Sequence, residues 1–184
     1  LLRYCQWLFQ KTGQFFRLPT EAEWEYACRA GAQGPQPEGV TEDNIGDYAW
    51  HYDNSTEKYH PTGQKKANAW GLFDMLGNVA EWTADAYVDD YFGESSKNPQ
   101  NPWHKPSAKY PHTIKGGSFD DNPEDCSCSK RVKSLPSLQK RDPQIPRSRW
   151  WNTDSSWLGF RIVRPIKQPT PAEIETYFKE AIVD

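Results

Sequence analysis

From residue 32 to about residue 68 the chain holds no apolar period at all, and Gly, Pro, Asn and Asp recur throughout. A structureless stretch of that length inside a compact domain is uncommon, so it must be tied down by side chains or by an ion. Residues 88–112 are irregular as well. The fold is therefore loop-rich, and its core cannot be assembled from aliphatic residues alone. Leu, Ile, Val and Phe together number 30 of 184 residues. So low a share usually signals disorder, but disorder also asks for a high net charge, and here it is −3. Nine Trp and nine Tyr supply the missing apolar area, each ring able to send one polar atom to a partner. The length suits one domain.

Regular elements are predicted where local chemistry is strong. Leu1, Leu2, Cys5, Leu8 and Phe9 share one face of a helix over residues 1–12, which Gly13 stops. Since Leu1 falls inside that helical pattern, an N-terminal part of the parent chain is expected to be missing. Thr20-Glu21-Ala22-Glu23 reads as a capping box that opens a second helix, with Trp24, Ala27 and Cys28 facing inward and Gly31 at its end. Short strands are expected at 113–119 and 157–164. Thr170-Pro171-Ala172-Glu173 opens a C-terminal helix with an apolar stripe of Ile174, Tyr177, Phe178, Ala181 and Ile182. The expected organisation is a domain over 1–167 and a C-terminal amphipathic helix over 168–184.

Several classes of function are excluded. No run approaches the roughly 20 apolar residues of a membrane helix, and the mean hydropathy is −0.93. The pI near 5.8 argues against a nucleic-acid binder. Charge is nevertheless uneven, with residues 38–57 acidic and residues 130–149 basic. Within the basic stretch, Arg147, Arg149, Trp150 and Trp151 mix guanidinium groups with indoles, a combination that stacks on a protein or glycan partner or else packs as a surface lid. Cys5, Cys28, Cys126 and Cys128 are compatible with free thiols or with disulfides, and they lack zinc spacing. Asn54-Ser55-Thr56 is a glycosylation sequon, a weak signal by itself.

Four ordered segments carry a resemblance. They are Arg17-Leu18-Pro19-Thr20-Glu21-Ala22-Glu23-Trp24-Glu25-Tyr26-Ala27-Cys28-Arg29-Ala30-Gly31, the run from Asn68 to Trp82, Lys115-Gly116-Gly117-Ser118-Phe119, and Leu158-Gly159-Phe160-Arg161. Over roughly residues 1–165 the chain resembles the formylglycine-generating enzyme, or sulfatase-modifying factor, family. The resemblance implies an α+β, C-type-lectin-like fold, loop-rich with little regular secondary structure. Enzymes of the family oxidise a cysteine of a client sulfatase to formylglycine, using O2 and copper(I) held by two cysteines. Soft copper(I) favours paired thiolates. At the matching positions this chain has Asp121 and Cys126, so half of the pair is missing, while Ser118 keeps the place of the active-site serine. Copper is therefore not expected.

The resemblance also implies a calcium ion at Asp74, Gly77, Val79 and Glu81, with side-chain oxygens from the two acids and main-chain oxygens from the other two. Six to eight hard oxygen ligands are what Ca2+ takes. A second calcium site of the family is lost, with Trp50 in place of an amide ligand. Neither family disulfide carries over, because Arg131 and Ile162 stand at the partner positions of Cys28 and Cys5; a bond from Cys28 to Cys126 or Cys128 stays open. The resulting expectation is a calcium-stabilised binding or scaffolding module of a larger, exported bacterial protein, periplasmic or on the cell surface, without formylglycine-generating activity. The alternative is an oxidase of that type using Cys126, Cys128 and Ser118.

Overall fold

The computed structural model describes residues 1–139 and 155–183. Helix α1 (Leu2–Thr12) ends at Gly13 in the left-handed region, and α2 (Glu21–Arg29) begins at the expected capping box. There the Thr20 hydroxyl accepts from Glu23 N, and the Glu23 carboxylate accepts from Thr20 N. The same carboxylate takes a forked pair of bonds from Arg17, at 2.6 and 2.7 Å, so the cap is anchored to the chain that enters it.

A four-stranded mixed sheet lies at the centre, in the order β3-β2-β1-β4. Strand β1 (Ala80–Ala86) pairs antiparallel with β2 (His112–Lys115) and parallel with β4 (Leu158–Gly159); β2 pairs antiparallel with β3 (Val132–Lys133). Helix α3 (Tyr91–Ser96) falls within the stretch read as irregular. The expected strands prove shorter: the first stops at Lys115, before Gly116 and Gly117 at positive φ, and the second reduces to β4 plus a bridge between Arg17 and Val163.

Two apolar clusters form the core. Trp24, Cys28, Ile45, Met75, Leu76, Cys126 and Cys128 lie between α2, the loops and the sheet. Cys5, Phe15, Ile174 and Phe178 join α1 to helix α4 (Pro171–Ala181), which starts at its own capping box from Thr170 and Glu173. Helix α4 thus covers its stripe with the domain itself, and Tyr177 meets Phe15 edge-on at 5.2 Å.

Side chains tie down the long irregular stretch. The Asn54 amide accepts from His51 N and donates to Ala49 O, while Ser55 Oγ donates to Phe119 O. Trp50 stacks on His60 at 3.8 Å, and Lys65 Nζ lies 3.9 Å over the same indole while donating to Gly46 O. In the folded chain the Asn54 amide nitrogen is thus engaged by Ala49 O, and Ser55 of the sequon is fully buried.

Candidate functional site

The Gly116-Gly117 turn at the end of β2 folds the chain back so that Ser118 lies against Cys126. Gly117 sits at φ +70°, and a Cβ there would come within 2.9 Å of the Asp125 carbonyl and of Cys126 Cα. Only glycine fits. Ser118 is buried, and both its N–H and its hydroxyl donate to Asp121 Oδ2, at 2.8 and 2.7 Å. Asp121, standing where a copper-binding thiolate would stand, is thus a local cap for the serine. The Asp121 carbonyl in turn accepts from Tyr52 N, joining this turn to the 50s loop.

Cys126 is fully buried and its thiol points at the Ser118 carbonyl, 3.8 Å away. Burial pushes the Cys126 thiol up to about 12, and the negative charges of Asp121, Asp125 and Glu124 push in the same direction. Cys128 is bonded to Cys28 in a disulfide with Cα atoms 5.6 Å apart. The oxidase alternative therefore needs correction: Cys126 and Cys128 are not a pair of thiols, because Cys128 is already spent. A soft ion offered Asp121 and Cys126 meets one sulfur and a hard carboxylate already holding two donors, so these residues do not fit the paired thiolates that copper(I) favours.

The expected calcium ligands lie along the turn that feeds β1. Gly77, at φ +66°, passes so close to the Trp50 carbonyl that a Cβ would fall 2.1 Å from its oxygen; Asn78 N donates to that same carbonyl. Val79 packs over Gly159 of β4. Glu81 is buried, and both its oxygens are engaged: Oε2 accepts from Trp24 Nε1 at 2.7 Å and from Arg161 Nε at 2.5 Å, and Oε1 from Arg161 Nη2 at 2.8 Å. The same Nη2 reaches the carbonyls of Phe73 and Asp74, each at 3.2 Å. Asp74, at φ +53°, accepts from Gly63 N through Oδ2, while its Oδ1 is buried with no donor.

A guanidinium therefore bridges the two ends of the expected ligand set. Asp74 Oδ1 offers what a calcium ion needs, an acceptor out of water with nothing on it; Glu81 would have to share its carboxylate with Arg161. Arg161 belongs to the Leu158-to-Arg161 motif, but its role was not legible there because its partners lie 80 residues and more away. Among the described residues no three His, Cys, Asp or Glu side chains gather around a common point. Arg147, Arg149, Trp150 and Trp151 lie outside the described residues.

Beneath this region is a buried charged layer. Lys115 Nζ is fully shielded and pairs with Glu25 at 3.0 Å, and Arg131 pairs with Glu21. Asp85 is fully buried and accepts from Glu21 N at 2.7 Å and His104 N at 2.8 Å, fixing the start of α2 to the sheet. Burial raises its carboxyl to about 7, against the pull of those two donors.

The chain is similar to known proteins. The sulfatase-modifying factor enzyme 1-like domain family matches residues 2–166. The formylglycine-generating enzyme of Bos taurus is 33% identical over 148 residues, covering 72% of this chain and 37% of that protein. The serine/threonine-protein kinase Pkn1 of Chlamydia trachomatis is 32% identical over 152 residues, covering 82% of this chain and 21% of that protein. Among solved structures, PvdO of Pseudomonas aeruginosa superposes with a TM-score of 0.69 at 30% identity, over 89% of this chain and 58% of that one. The chain thus spans less than two thirds of the length of each of these relatives, and it shares the α+β, loop-rich architecture of the solved structure. By its matched residues and its fold, the chain belongs to the sulfatase-modifying factor enzyme 1-like domain family.

Proposed function

We propose that this domain does not carry out copper-dependent formylglycine formation and serves instead as a binding or scaffolding module within a larger, exported protein. One observation carries the reading: Asp121, in place of the first thiolate, is committed to Ser118, and beside it Cys126 is fully buried while Cys128 is held in its disulfide with Cys28. The low share of the Chlamydia trachomatis kinase that the match covers supports a role as one part of a longer protein. The Cys28–Cys128 disulfide supports an oxidising compartment, periplasmic or on a bacterial cell surface. A calcium ion at Asp74, Gly77, Val79 and Glu81 would add charge neutralisation and cross-link the turn before β1, with Asp74 Oδ1 as its first ligand.

The test is oxygen consumption by the purified domain, supplied with copper(I) and a peptide carrying a sulfatase-type cysteine. No turnover and no stoichiometric copper are expected. Clear turnover by the unmodified protein would overturn the reading.

A further inference from the structure

Asp85 is a fully buried carboxylate whose oxygens are held by backbone alone: Oδ2 accepts from Glu21 N and Oδ1 from His104 N. Among the described residues no Lys, Arg or His forms an ion pair with it. Burial first, and then the charges of Glu21 and Glu23 on α2, disfavour its ionisation against the pull of the two N–H groups. The cations of this region are spent on those acids, Arg17 on Glu23 and Arg131 on Glu21, although Arg17 also faces Asp85. From α3 and α4, Tyr91 and Tyr177 face it as neutral phenols, because burial raises both. From β2, His112 faces it as a ring whose pKa burial lowers. A carboxylate charge in such surroundings is costly unless water reaches it.

The two segments that Asp85 joins are not held equally. The start of α2 is fixed by its capping box, by the Arg17 fork and by Ala84 N, which donates to Pro19 O. On the other side lie residues 97–109, of which only Pro106 is buried. Their further bonds to β1 are Ala86 N to His104 O at 2.8 Å and Trp103 Nε1 to Ala84 O at 3.2 Å. Lys105 adds an exposed ion pair with Glu180, a contact of small worth. Trp103 lies on Tyr177 at 5.3 Å, so this segment covers the aromatic cluster that Tyr177 forms with Phe15 and Phe178. Segments with few buried contacts are the ones that open locally. We propose that Asp85 is a proton-controlled latch for residues 97–109: as a neutral acid it holds the segment over α4, and its ionisation favours an open form in which water reaches the carboxylate and Tyr177 loses its cover. The closed form keeps its proton up to about pH 7, whereas an open, hydrated carboxyl releases it near the ordinary 3.8. Opening therefore rises with pH across that window and levels off above it. The latch involves none of Ser118, Asp121 and Cys126, so it stands or falls apart from the reading above.

Hydrogen exchange of the whole chain, resolved by NMR, tests it. In wild type the amides of His104 and Ala86 should exchange through an opening that low urea does not promote, because little surface is exposed. Their protection factors should fall about tenfold to fiftyfold between about pH 5 and pH 7. Asp85→Asn stands in for the neutral acid, with one acceptor and one donor, and cannot ionise. In that variant the fall should disappear; the His104 and His112 rings are common to both proteins, so the difference belongs to Asp85. Protection that does not change with pH in wild type overturns the proposal. So does a fall that urea promotes as strongly as global unfolding, which is also read on wild type alone. A fall of equal size in Asp85→Asn overturns it as well.

Discussion

Arg161→Met removes, among the described residues, the cation that holds Glu81 and leaves a chain of similar length over Phe73 and Asp74. The Glu81 side chain is 8% exposed and that of Arg161 is 25% exposed, so the pair is largely screened from water. The variant loses two bonds to the carboxylate and two to backbone carbonyls, and among the described residues it leaves the buried charge with the Trp24 indole as its donor. Breaking one side of a buried pair costs about 3–5 kcal/mol; the partial exposure of Arg161 places the expectation at about 3 kcal/mol. For a chain of this size that is a fall in Tm of about 6–12 °C. Urea unfolding at pH 7 in a chelator measures it. A loss under about 1 kcal/mol would refute the assignment of Arg161 as the cation that makes Glu81 tolerable. The same experiment with excess calcium separates two accounts of this site. An ion on Asp74 Oδ1 and the freed Glu81 oxygens would return about 3 kcal/mol at a hundredfold excess over its dissociation constant. Equal stability of the variant in calcium and in chelator would remove calcium from the site.

Three further outcomes follow from the buried framework. Reducing Cys28–Cys128, or replacing Cys128 by Ser, opens a link across 100 residues of sequence and should cost about 2–4 kcal/mol; a loss of under about 1 kcal/mol on reduction in wild-type urea curves contradicts it. The Asp85 carboxyl is raised above its unfolded value, so its contribution is full below about pH 4 and declines as pH rises through about 7. Wild type should therefore lose its advantage over Asp85→Asn between pH 5 and pH 8, and a gap that widens with pH would reverse the sign. Gly117→Ala puts a methyl against the Asp125 carbonyl at a strained φ and should destabilise by about 2–3 kcal/mol in the same assay; a neutral effect would mean that the turn relaxes freely.

The helices were legible because their signals are local. Thr20 with Glu23 and Thr170 with Glu173 are three residues apart, and each box closes as the spacing predicts. Strand β1 was not legible as a strand, and the reason is physical. A half-buried strand announces itself by apolar residues on the inward face, but here the inward positions are Glu81, Thr83 and Asp85, all buried, while Ala80 and Ala84 are buried on the other. Each polar group is satisfied by a residue at least 19 positions away: Glu81 by Trp24 and Arg161, Thr83 by the Thr113 carbonyl, Asp85 by the backbone of Glu21 and His104. No local window contains those partners, so its pattern reads as loop. The candidate site inherits the same property. The replacement of a thiolate by Asp121 was visible in the sequence, because it is a matter of residue type at a known spacing. What Asp121 does instead, and which cysteine Cys28 takes, depends on how Gly117 turns the chain over Cys126. In a fold whose central strand buries polar side chains, the residues that satisfy them decide which chemistry remains open, and here an arginine, a tryptophan and a disulfide have taken up Glu81 and Cys128.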